Sequence, residues 1–154
     1  MNKFMKNPQE TYKKQRILTA SPLELIVMLY DGLNKNIKLA QRAISKNNIE
    51  SAHERLVKAQ DIVNELTNSL DLNIPMSEEL LRLYEFLGAS LGEANMKKDA
   101  ELLEPILEIT DNLREAWEEI NRTTREATQA EAAMLETAQA EAAMRENAPS
   151  EAML

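Results

Sequence analysis

Apolar residues recur along most of this chain in steps of three and four, the spacing that stacks side chains on one face of an α-helix. The cleanest seam is Ile49, Ala52, Leu56, Ala59, Val63, Leu66 and Leu70, and a second follows at Leu80, Tyr84, Leu87, Leu91 and Ala94. Before them Ile26, Leu29, Leu33, Ile37, Ala40 and Ile44 predict one helix; after them Leu103, Ile106, Thr110, Leu113, Trp117 and Ile120 predict another. The breaks are short: Lys46-Asn47-Asn48, Asn73-Ile74-Pro75-Met76 and Asn95-Met96-Lys97-Lys98. Short turns make neighbours antiparallel, so the pattern predicts an all-α, antiparallel up-down-up-down four-helix bundle with helices of about 20 residues, each about 30 Å long.

Polar residues mark where these helices begin. Ser21 suits an N-cap, Pro22 the first helical position, and Glu24 completes an S-x-x-E capping box. Ser77 is the expected cap of the third helix, with Glu78 and Glu79 in its first turn, and Asp99 that of the fourth. The first helix is unusual in carrying six apolar residues without a break, Leu25 to Tyr30, which at about 100° per residue cover its whole circumference. One core takes one side of such a helix. The other asks for a second partner: a subunit, a flap of the same chain, or a client segment.

Some positions resist the pattern. Pro105 lies six residues past Asp99, where it would remove a hydrogen bond, so a kinked or late first turn is expected. Gly32, Gly88 and Gly92 stand inside helices, each costing about 1 kcal/mol against alanine. Gly88-x-x-x-Gly92 therefore points to a close helix approach, either to another chain or within the bundle. Beyond Ile120, Gln129-Ala130-Glu131-Ala132-Ala133-Met134-Leu135-Glu136 recurs as Gln139-Ala140-Glu141-Ala142-Ala143-Met144-Arg145-Glu146, with glutamate at every fifth place from Glu126 to Glu151. Five-residue steps rotate about 140° on a helix and hold no single apolar face, so a fraying helical extension or mobile tail is expected. The domain reading is an N-terminal basic arm over 1–20, a bundle over 21–122 and a low-complexity acidic, Ala/Glu-rich tail over 123–154.

Composition narrows the function. The 154 residues suffice for one domain with a real core, without cysteine, which suits a reducing compartment and excludes disulfides and thiolate metal sites. No run of about 18 apolar residues suggests a membrane span, and the N-terminus lacks a signal-peptide core, so a cytoplasmic protein without membrane insertion is expected. Net charge is −8, yet Lys3, Lys6, Lys13, Lys14 and Arg16 against Glu10 leave the first twenty residues at +4. An acidic body with one short basic arm argues against a nucleic-acid partner.

Catalytic chemistry is sparse. There is one histidine and no glycine-rich phosphate loop, so no enzyme, no cofactor and no metal site is expected. Glu50-Ser51-Ala52-His53 matches half of a bundle di-iron motif, but such sites need two Glu-x-x-His pairs. His53 as a phosphotransfer histidine is disfavoured by Glu54, Arg55 and Leu56 after it; a partly solvated histidine flanking the seam is the simpler reading.

Taken in order over residues 12 to about 120, the chain resembles the flagellar export chaperone family FliS. The matching residues are Tyr12, Thr19-Ala20-Ser21-Pro22, Met28-Leu29-Tyr30-Asp31-Gly32, Lys58-Ala59-Gln60, Ile62-Val63, Glu65-Leu66, Leu70-Asp71, Leu83-Tyr84, Glu93-Ala94-Asn95, Lys98-Asp99, Leu113-Arg114 and Ala116-Trp117. Pro105 and the tail depart from the family pattern. The resemblance implies a cytoplasmic bundle that binds the C-terminal segment of flagellin, prevents premature polymerisation and assists delivery to the flagellar export gate of the type III apparatus. Such a client folds on binding, typically burying about 1,000 to 3,000 Å², so a large apolar surface is needed. It is expected on the outer side of the first helix at Leu25, Met28, Tyr30 and Leu33, and along the second at Gln60, Val63, Leu66 and Leu70. Tyr12 and Leu18 in the basic leader are expected to cover the empty groove. Met144, Asn147-Ala148-Pro149 and Met153-Leu154 loosely resemble a flagellin end and suggest a built-in competitor. The rival reading is a non-catalytic structural or regulatory bundle that self-associates as a homodimer through the same apolar surplus.

Overall fold

A computed structural model describes residues 8–147 and contains five α-helices and no strand among them. They are α1 (Pro8–Thr19), α2 (Pro22–Ser45), α3 (Ile49–Asn68), α4 (Met76–Lys97) and α5 (Leu103–Glu146), with a 3₁₀ turn at Ala100–Leu102 before the last. Lys3 and Lys6 of the leader, and Ala148, Pro149, Met153 and Leu154 of the tail resemblance, lie outside the described residues.

The chain divides into two compact units, Met1–Glu118 and Glu119–Leu154. Within the first, side-chain contacts fix the helix directions. Gly32 meets Ile62 and Asn36 meets Arg55; Gln60 meets both Gly88 and Gly92 and His53 meets Asn95; Asp31, Asn34 and Gln41 meet Arg114, Asp111 and Glu104. In each pair of helices one number climbs as the other falls, so α2–α3, α3–α4 and α2–α5 are antiparallel. The core between them holds Tyr30, Leu33, Ile37 and Ala40 of α2, Leu56, Ala59, Val63 and Leu66 of α3, Tyr84, Leu87, Leu91 and Ala94 of α4, and Leu103, Ile106 and Leu107 of α5. Ile49, expected in the seam, is exposed at the helix start.

Local chemistry explains the boundaries. The Ser21 Oγ accepts the Glu24 N–H at 3.2 Å, as an N-cap should. At the α2 end, Asn47 takes a positive φ of 60°, the Asn48 N–H reaches Ala43 O at 2.8 Å and the Asn47 N–H reaches Ile44 O at 3.0 Å. That is a Schellman ending with asparagine in the left-handed position. Asn48 then caps α3 through Ser51 N–H, so two asparagines stop one helix and start the next. Ser77 is not a cap: α4 begins at Met76 behind Pro75, and Ser77 is buried inside its first turn. Proline supplies the helical φ there without a side-chain acceptor. Pro105 is accommodated because Asp99 caps the 3₁₀ turn through Glu101 N–H and α5 starts only at Leu103. It thus falls in a first turn whose N–H groups have no intrahelical acceptor to lose. From Arg122 to Asn147 every described residue is exposed, although the helix continues to Glu146.

Candidate functional site

α1 forms where the sequence reading placed only a leader. Its residues Gln9, Tyr12, Lys13 and Arg16 recur at three- and four-residue steps and so share one face, but with Tyr12 its one apolar member that face gives no hydrophobic signal. That face and Met28, Asp31, Gly32 and Lys35 of α2 enclose an open cleft of about 610 Å³. α1 buries none of its own residues: Tyr12 is 67% and Leu18 84% exposed. It overlies α2 without sealing it.

The cleft brings together Tyr12 and Met28 from the expected set. Leu25 is exposed one turn before Met28, Leu18 is exposed elsewhere on α1, and Leu70 packs half-buried against the core. Tyr30 and Leu33, expected on the outer side of α2, are instead in the core, as are Val63 and Leu66, expected to serve the client along α3. The reason lies in rotation. The buried stripe of α2 runs through Tyr30, Leu33, Ile37 and Ala40, leaving Leu29 half-buried beside it, so the outward set on this helix shrinks to Leu25 and Met28. A tyrosine is tolerated inside because its hydroxyl lies 2.7 Å from that of Tyr84. On α3, Val63 and Leu66 belong to the same seam as Leu56 and Ala59 and have no second face. Gln60 is a bundle residue: its amide donates to Gly88 O at 3.4 Å and lies over Gly92. The Gly88-x-x-x-Gly92 signal therefore marks an internal α3–α4 crossing.

Electrostatics divide the outer side of α2. Asp31 is held by Arg114 of α5 at 2.5 Å, and Arg114 also approaches Glu118; the Asp31 hydrogen bond foremost raises the arginine pKa. Both groups are over a third exposed, so this pair contributes about 1 kcal/mol at most. Beside it a second cleft of about 400 Å³ opens between α2 and α5, sharing Asp31 and Lys35 with the first and adding Lys38 and Arg42. Asn34 at its base donates to Asp111 Oδ1 at 2.7 Å, while its own Oδ1 is buried without a partner. Sequence reasoning missed this cation row, and also the exposed Leu72, Ile74 and Met76 in and after the α3–α4 connection. His53 pairs with Asn95, whose Oδ1 also receives the Lys98 ammonium.

Comparisons with known proteins place the chain in a family. The family model described as flagellar protein FliS matches residues 5–124. A flagellar secretion chaperone FliS of Bacillus subtilis (strain 168) is 35% identical over 121 residues, covering 79% of this chain and 91% of that protein. The flagellar secretion chaperone FliS of Vibrio cholerae is 29% identical over 136 residues, covering 84% of this chain and all (100%) of that one. Among solved structures, a crystal structure of a flagellar chaperone from bacteria superposes with a TM-score of 0.63 at 14% identity, over 76% of this chain and 99% of the other, a likeness of fold.

Proposed function

Because this chain belongs to the FliS family of flagellar secretion chaperones, which are not enzymes, we propose that it binds the C-terminal segment of flagellin and keeps it from polymerising. On this reading it works in the cytoplasm and hands the client to the flagellar export gate. Among the described residues no helix is long and apolar enough to cross a membrane.

The observation that carries the proposal is the open, largely apolar cleft under α1. A segment that becomes helical only when packed needs a groove that replaces its missing neighbours. Met28 and Gly32 of α2 line one, Leu25 extends the apolar area beyond it, and Tyr12 and Ile17 of α1 cover it. Since α1 buries nothing of itself, it is a cover that a client displaces at low cost. Deleting residues 1–19 should then tighten the binding of a flagellin C-terminal peptide in calorimetric titration. Weaker binding would make α1 a wall of the site instead of its cover, and no binding by either form would remove the client assignment.

A further inference from the structure

The two clefts on α2 form one track, because both are lined by Asp31 and Lys35. From Met28 to Arg42 that track is about 21 Å long at 1.5 Å per residue. Its character changes along its length. At the Met28 end it is apolar, with Tyr12, Ile17 and Gly32. Toward Arg42 it becomes a row of cations, Lys35, Lys38 and Arg42, at helical steps of three and four on one side of α2. None of these three forms an ion pair among the described residues, whereas of the two acids lining the track Asp31 is paired with Arg114 and Asp111, still charged, accepts from the Asn34 amide, so cations outnumber acids along it. A chain of net charge −8 thus concentrates unpaired positive charge beside its apolar cleft. α1 brings Lys13 and Arg16 to the same cleft, like charges facing Lys35, so the arm is electrostatically mismatched to the surface it overlies.

We infer that the track selects an amphipathic helical segment of a protein partner in which an apolar stripe is followed by a run of carboxylates. The inference rests on the client reading above and specifies its chemistry. The apolar part takes the place of α1 against Met28 and Gly32, the carboxylates align with Lys35, Lys38 and Arg42, and their charge favours the segment over the basic arm. Opposite charge steers the encounter and sets the register, and rim pairs of this kind respond strongly to salt.

The test uses the full chain and a labelled flagellin C-terminal peptide, alongside the same peptide with every Asp and Glu replaced by Asn and Gln, both followed by fluorescence anisotropy. The protein variant carries Lys35→Glu, Lys38→Glu and Arg42→Glu together, with its fold checked by circular dichroism. Unmodified protein should bind the native peptide more weakly as salt rises, and either the neutralised peptide or the reversed protein should lose about tenfold in affinity. The reversed protein should also cease to distinguish the two peptides. Equal affinity for both peptides by the unmodified chain overturns the inference even if the variant fails to fold. So does comparable binding of a short non-specific DNA duplex, which would make the row a general anion surface. If the unmodified chain binds neither peptide, the client reading itself has failed.

Discussion

Tyr30 and Tyr84 place two phenol hydroxyls 2.7 Å apart among the buried leucines of the core. Burial foremost, then the Tyr84 hydroxyl, raises the Tyr30 pKa far above its ordinary value, with the Trp117 indole N–H opposing; burial likewise raises Tyr84. A raised native pKa leaves stability intact below the unfolded value of about 10 and removes it as pH climbs beyond, because the unfolded state then releases protons the native state retains. Alkaline unfolding, followed by Trp117 fluorescence, should therefore begin above about pH 10. Tyr30→Phe should make the fall of stability above about pH 10 shallower while costing about 1 to 3 kcal/mol near neutrality, since it strands the Tyr84 hydroxyl. The glycines give a second residue-scale test. A Cβ on Gly88 would lie 3.9 Å from Val63 Cγ1, ordinary contact, whereas one on Gly32 would meet Ile62 Cδ1 at 3.3 Å. Gly88→Ala should stabilise by about 0.5 to 1 kcal/mol in urea denaturation. Gly32→Ala should gain less, because the Ile62 side chain must give way.

Among the elements, α5 shows how a proline that looks disruptive becomes harmless. With the Asp99 cap and 3₁₀ turn placing Leu103 first, Pro105 lies within the opening turn. Pro105→Ala should change the thermal midpoint by less than about 1 kcal/mol equivalent, not the gain of about 3 expected on relieving an interior proline. The caps at Ser21 and Asp99 were legible because capping is local chemistry between residues two or three apart, although Asp99 caps the 3₁₀ turn and α5 starts only at Leu103. Ser77 misled for the same reason. Serine followed by acids reads as a cap wherever it stands, and only the backbone shows that Pro75 had already begun the turn. α1 was missed because its face offers few large apolar residues, so nothing in its hydrophobic pattern distinguishes it from a solvated leader.

For the whole molecule, stability should reside in the first unit's core. α1 buries none of its residues, and the described residues from Arg122 onward are exposed. Amides of 123–146 should consequently exchange with solvent far faster than those of Leu56, Leu66, Leu87 and Leu91, which hydrogen-exchange mass spectrometry would read directly. Protection of 123–146 equal to the core would show that this stretch has a partner surface. Deleting residues 1–19 should likewise leave the urea midpoint unchanged, separating the role of α1 in binding from any role in folding.

The residues alone determined the all-helical class, the bundle seams, most turns and the resemblance to flagellar chaperones, because period, capping and turn preference act over a few neighbouring positions. They left the angular setting of α2 undecided: six consecutive apolar residues satisfy several rotations equally well. Packing chose the rotation that pairs Tyr30 with Tyr84, and with that choice moved two expected outer residues of α2, Tyr30 and Leu33, inside. The cation row repeats at helical steps within α2 and is local, but the clefts beside it arise from side chains far apart in the chain meeting across α1, α2 and α5. No local pattern encodes such a meeting, since it depends on where each helix lies on its neighbours.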